Sequence, residues 1–227
     1  MLAVEELTLE LDSGEIVALV GDNGAGKSTV VKCLAGVYQP TSGQIMLEGR
    51  PVHFASPLDA RRHGIEVVLQ DLALANAQPV YMNVFLGREL VKGPLRRLDR
   101  AAMAARTRAV LQELDVRIDS ASQPVRNLSG GQRQGVAIAR AMLWAQRLVL
   151  MDEPTAALGV LETRRVEEVI RRLRDRGRAI LLVSHSLDQV FRLADRICVL
   201  RHGKQVGVRR TADTSGDEIV SMITGIR

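Results

Sequence analysis

The amino-acid sequence predicts an α/β fold built on a parallel sheet. Three observations carry that prediction. Four short β-branched apolar runs, EIVALV (15–20), IEVVL (65–69), RLVLM (147–151) and AILLVS (179–184), do not alternate with polar residues and are too short for helices. That is the pattern of strands buried on both faces. Stretches with helical periodicity separate them. Each run leads directly into Gly21, Gln70, Asp152 or His185, and ligands of open α/β sheets gather beyond the carboxyl ends of the strands.

The elements follow in chain order. A helix is predicted over 27–36, directly after the first run. QIMLEG (44–49) reads as an antiparallel strand. Residues 99–114 place Met103, Val110, Leu111 and Leu114 on one helical face, and 160–176 do the same with Val166, Val169, Ile170 and Leu173. A short helix is expected over 186–194. ICVLRHGKQVG (197–207) reads as a hairpin turning at His202 and Gly203. From about 71 to 145 no strand-like run occurs, so this stretch is expected to be a mostly helical insertion.

Composition narrows the class. Of 227 residues 46% are apolar and only 3% aromatic, so the core must be aliphatic. The net charge of +5 is mild. No block of like charges makes a nucleic-acid arm, and aromatic residues are too few for a base-stacking platform; no nucleic-acid partner is expected. Cys33 and Cys198 lie far apart in apolar runs, as buried thiols of a reduced cytosolic protein do. No zinc-ligand spacing is present. The amino terminus does not read as a signal peptide, and no apolar run is long enough to span a membrane.

Chemistry concentrates in three segments. GDNGAGKS (21–28) fits G-x-x-x-x-G-K-[ST] between a strand and a helix. Gly21, Gly24 and Gly26, with Asp22, Asn23 and Ala25 between them, let the backbone turn its amides inward. The helix start adds partial positive charge, to which Thr29 also belongs. Lys27 is suited to β and γ phosphates and the Ser28 hydroxyl to Mg²⁺. In RLVLMDEP (147–154) a buried strand delivers Asp152, suited to Mg²⁺. Glu153 follows, placed to orient or deprotonate a water. In LSGGQRQGVAIARAM (128–142) Ser129 is a good helix cap, and Gly130, Gly131 and Gln132 open an apolar helix with exposed amides, a second anion cradle.

With these three segments in this order, the chain resembles the nucleotide-binding subunits of ATP-binding cassette (ABC) transporters, whose signature motif is LSGGQ. The resemblance implies one domain over 1–227: a RecA-like parallel-sheet core at about 1–70 and 146–227, a small antiparallel β part, and a helical subdomain at about 71–145. It implies ATP and Mg²⁺ as cofactors. Ser28, Asp152 and Gln70 hold the metal, and Glu153, His185 and Gln70 form the catalytic set. Gln70 matches the family's Q-loop glutamine and His185 the switch histidine. Two cassettes, expected as a homodimer, place each ATP between the phosphate loop of one and the signature of the other. Permease subunits and, indirectly, a periplasmic sugar-binding protein are the further partners. The place of work is the cytoplasmic face of the inner membrane.

GIEVVLQDLALANAQPVYMNVFLGREL (64–90), DEPTAALGV (152–160) and DEIVSMITG (217–225) are similar to ATPases that power monosaccharide importers. The chain is expected to be the ATP-hydrolysing subunit of such an importer. The alternatives are a cassette serving DNA repair or translation, and a truncated cassette that binds ATP weakly. Gly159 stands where most ABC ATPases have Asp, a trait shared with the sugar-import group. The family's strand with an adenine-stacking aromatic is expected to be lacking upstream of LTLELDSGEIVAL (7–19). Residues 1–20 would then be a second strand without its first, and ATP affinity is expected to be weak until that strand is restored.

Overall fold

The computed structural model describes residues 3–156 and 158–225. Contacts divide the chain into two units. The first holds residues up to Val67, Ala145–Glu153 and the chain from Arg174 onward; the second holds Val68–Trp144 and Pro154–Leu173.

In the first unit, β1 (Ile16–Val20) leads into α1 (Lys27–Leu34), followed by a small hairpin of β2 (Ile45–Leu47) and β3 (Arg50–Val52). The partner β3 was not expected. It follows a tight turn whose two residues, Glu48 and Gly49, both have positive φ, 52° and 75°, the geometry that two-residue hairpins require. Next come α2 (Pro57–Arg62), capped by Ser56, and β4 (Ile65–Val68).

The second unit contains α3 (Val80–Val84), β5 (Val91–Lys92), β6 (Arg97–Leu98), α4 (Arg100–Glu113) and α5 (Gly130–Trp144). The regular structure of this stretch is thus chiefly helical, with turns and loops between the helices, and β5 and β6 pair as an antiparallel hairpin. Both are exposed and two residues long, too short to leave a period-2 pattern. The helices bury Val80, Val84 and Phe85 with Met103, Leu111 and Ile138. Trp144 at the end of α5 meets Phe85 edge-on at 5.5 Å and donates from Nε1 to the Val84 carbonyl at 2.9 Å.

The chain returns through β7 (Leu148–Asp152), α6 (Val160–Asp175), β8 (Ala179–Val183), α7 (Leu187–Leu193), β9 (Arg196–Arg201), β10 (Lys204–Arg210) and α8 (Gly216–Thr224). The main sheet has the order β10-β9-β1-β8-β7-β4. β1 pairs in parallel with β8 and β9, and β7 with β8; β10 closes antiparallel against β9. All four runs read as buried strands form strands of this sheet. β1 and β8 are buried along their whole length, which explains why their sequences do not alternate.

Residues 7–12, expected as strand, carry no strand pairing; Glu6 alone bridges Lys204. Leu7, Leu9 and Leu11 nevertheless alternate onto the core. Cys198 is fully buried in β9, and burial pushes its thiol up to about 11. Among the described residues no helix is long and apolar enough to cross a membrane.

Candidate functional site

The loop after β1 is shaped by its glycines. Gly21, Gly24 and Gly26 have φ of 152°, 82° and 104°, conformations that side chains with a Cβ rarely adopt. A Cβ on Gly21 would lie 2.1 Å from the Leu200 carbonyl oxygen, whereas one on Gly24 would meet nothing within 4 Å. One glycine lets the loop pack on β9 and the other leaves an open face. Val4 lies against Gly26.

Gly26 caps α1 with no side-chain hydrogen bond, and the first turn holds no acidic residue. By contrast α2, α4, α7 and α8 are capped by Ser56, Asp99, Ser186 and Ser215. The first amides of a helix have no intrahelical acceptor, so the start of α1 is left without a side-chain partner and carries positive potential. The residues present fit a phosphate group. Lys27 Nζ donates to the carbonyl oxygens of Gly21 (2.6 Å) and Asp22 (2.9 Å). Its charge is thus held across the loop.

Asp152 is the last residue of β7, paired with Val183. Burial and the neighbouring Glu153 charge push its carboxyl above the usual carboxylate range, and Lys27 and Lys32 pull it back. A half-buried carboxylate with that imbalance, together with the exposed Ser28 hydroxyl, suits a hard divalent cation, which favours the charged form. The donors fit Mg²⁺.

Glu153 leaves the strand with φ of 50°, and its amide donates to Val183 at 2.9 Å. That turn brings Glu153 Oε2 to within 2.8 Å of His185 Nδ1. The Glu153 side chain is 16% exposed and that of His185 73%. Lys27, Asp152, Glu153 and His185 all lie in the first unit, at or beyond the carboxyl ends of β1, β7 and β8. The loop carrying His185 is braced by a pair that sequence reasoning missed: Ser184 Oγ donates to Gln189 Oε1 at 3.0 Å and accepts from the Ser186 amide at 3.1 Å. Ser184 and Gln189 are both buried.

Asn23, Ala25 and Thr29 lie with the phosphate loop in the first unit, whereas Gln70 and Ser129–Gln132 belong to the second. Gln70 is exposed just past β4. Ser129 and Gln132 cap α5 reciprocally: the Gln132 amide donates to Ser129 Oγ at 3.2 Å, and the Ser129 amide to Gln132 Oε1 at 2.9 Å. This is a capping box. Gln132 Nε2 also donates to the Arg117 carbonyl at 2.8 Å. Two further residues were missed. Arg140 of α5 donates to the carbonyls of Leu72 (3.1 Å) and Ala73 (3.4 Å). Asn83 accepts from the Ala75 amide at 2.7 Å and donates to the Pro79 carbonyl at 3.1 Å. The segment after Gln70 is thereby tied to two helices of its own unit. An Arg inside an apolar helix and a buried Asn inside a short apolar helix were the available signals.

A parallel sheet whose first strand runs into a glycine-rich, lysine-bearing loop defines a phosphate-loop nucleotide-binding protein. The chain belongs to the ABC transporter family, whose sequence model matches residues 4–156. It is 47% identical over 231 residues to the fructose import ATP-binding protein FrcA of Rhizobium meliloti, covering 99% of this chain and 89% of that one. It is 43% identical over 222 residues to the xylose/arabinose import ATP-binding protein XylG of Sulfolobus acidocaldarius, covering 98% and 88%. Among solved structures it matches the ATP-binding cassette MJ1267 in its ADP conformation, with a TM-score of 0.82 at 21% identity over 99% of this chain and 89% of that one.

Proposed function

We propose that this chain is the ATP-hydrolysing subunit of an ABC importer for a monosaccharide, peripheral to the cytoplasmic face of the membrane. The hydrolytic reading rests on the Glu153–His185 contact of 2.8 Å beyond the strand that ends in Asp152. The sugar reading is supported by relatives named for fructose and for xylose/arabinose import.

In this reading Glu153 orients and deprotonates the attacking water, and His185 fixes the direction of its carboxylate. Lys27 and the amides at the start of α1 absorb charge on the phosphates. Ser28 and Asp152 would hold Mg²⁺, which when bound neutralises phosphate charge and aligns the transferring group. The chain works as a pair, with the Ser129–Gln132 cradle of each copy serving the nucleotide on the other. The segment after Gln70 contacts the permease.

The test is Glu153→Gln in the full chain. Turnover should fall by a factor of about 100 or more, while ATP-bound dimers accumulate in size-exclusion chromatography. Wild-type turnover in that variant would overturn the assignment.

A further inference from the structure

The signature cradle already holds an anion of its own chain. Gly131, in the first turn of α5, donates its amide to Glu162 Oε1 at 3.3 Å. Glu162 lies in the first turn of α6, and both residues belong to the second unit. One carboxylate therefore serves the starts of two helices, where positive potential is highest.

Gly131 also makes room for it. A Cβ on Gly131 would stand 3.1 Å from Glu162 Cγ, 3.2 Å from its Cβ and 3.2 Å from Oε1. A side chain at 131 would require Glu162 to give by a few tenths of an ångström. Ser129 and Gln132 satisfy each other's amides through the capping box, while the Gly131 amide is directed at a charged group.

We infer that Glu162 is a positioning residue of the signature, whose carboxylate holds the Gly131 amide and competes with nucleotide phosphate for it. The inference rests on the proposed ATPase reading. A phosphate reaching this amide displaces the carboxylate or approaches against its charge, and either raises the nucleotide concentration needed for closure. Once the carboxylate has been displaced it takes no part in the chemical step. Its charge therefore enters KM more than kcat.

The experiment compares wild type, Glu162→Gln and Glu162→Ala as full-length chains, measuring ATP turnover against ATP concentration and melting temperature without nucleotide. Glu162→Gln keeps the size and an acceptor oxygen but loses the charge. Its KM for ATP should fall about three- to tenfold with kcat within about twofold of wild type. Glu162→Ala should lower KM in the same direction. A role confined to holding the two helices together predicts the opposite pattern: Gln with wild-type KM, and Ala with a lower melting temperature and no gain in affinity. That pattern, or a raised KM in Glu162→Gln, overturns the inference. Failure of the wild-type chain to hydrolyse ATP would instead overturn the ATPase reading itself.

Discussion

Alanine at Gly24 and at Gly21 should separate the ligand face of the phosphate loop from its packing face. Gly24 has φ of 82°, and an added Cβ meets nothing within 4 Å. Gly24→Ala therefore carries only the left-handed strain of about 1–2 kcal/mol. For a chain of this size that corresponds to a drop in melting temperature of about 2–8 °C. Gly21 has φ of 152°, and its added Cβ falls 2.1 Å from the Leu200 carbonyl oxygen and 3.2 Å from the Ala25 Cβ. Leu200 belongs to β9, which is paired on both sides, with β1 and β10, so it cannot retreat. Backbone strain of about 1–3 kcal/mol adds to an overlap of about 1–3 kcal/mol or more. The sum is a large part of the ~5–15 kcal/mol that holds a domain folded. Calorimetric melts, with titration of a fluorescent ATP analogue, read both effects. Gly24→Ala should fold and lose nucleotide binding; Gly21→Ala should melt far lower or fail to fold. Equal melting of the two variants would refute the packing argument. Undiminished binding by Gly24→Ala would refute the placement of phosphate on the open face.

Two further outcomes concern Asp152 and Trp144. The Asp152 carboxyl is held above the ordinary range by burial and by Glu153, so the folded chain binds its proton more readily than the unfolded chain does. The carboxylate therefore costs stability at neutral pH, a cost relieved as pH falls through the folded value toward the ordinary one of about 4. Without nucleotide, Asp152→Asn should melt above wild type at pH 7, with the gap closing toward about pH 4; a gap that widens on acidification would contradict this. Trp144→Phe keeps an aromatic ring beside Phe85 but removes the hydrogen bond to the Val84 carbonyl. Urea unfolding should show a loss of about 1–2 kcal/mol, against about 3–5 for Trp144→Ala.

Much of the fold was legible because burial writes itself into sequence. Val17, Leu19, Leu150 and Leu181 sit in uninterrupted apolar runs because both faces of their strands are covered. The hairpin around His202 and Gly203 was legible from its turn, and both residues have positive φ, 49° and 78°. Val91–Lys92 and Arg97–Leu98 were not legible, since two exposed residues per strand carry no period. Residues 7–12 misled in the other direction: their alternation comes from three leucines packing on the core without a strand partner. At the site, Lys27, Asp152 and Glu153 were legible because the strand before each is. The contact between Glu153 and His185 joins loops 32 residues apart. The Gly131–Glu162 bond spans 31. Neither distance has a local signature, so such pairs appear only once the chain is folded.

The bonds from Arg140 to Leu72 and Ala73, and from Asn83 to Ala75 and Pro79, have a mechanical consequence. They fasten the stretch after Gln70 to α3, through Asn83, and to the helix that begins with the signature, through Arg140. A load applied to that stretch is borne by α5 rather than dissipated in a slack loop. Its length is accordingly a fixed dimension of the part. One residue inserted between Leu72 and Pro79 would add up to about 3.5 Å of slack between those fastenings.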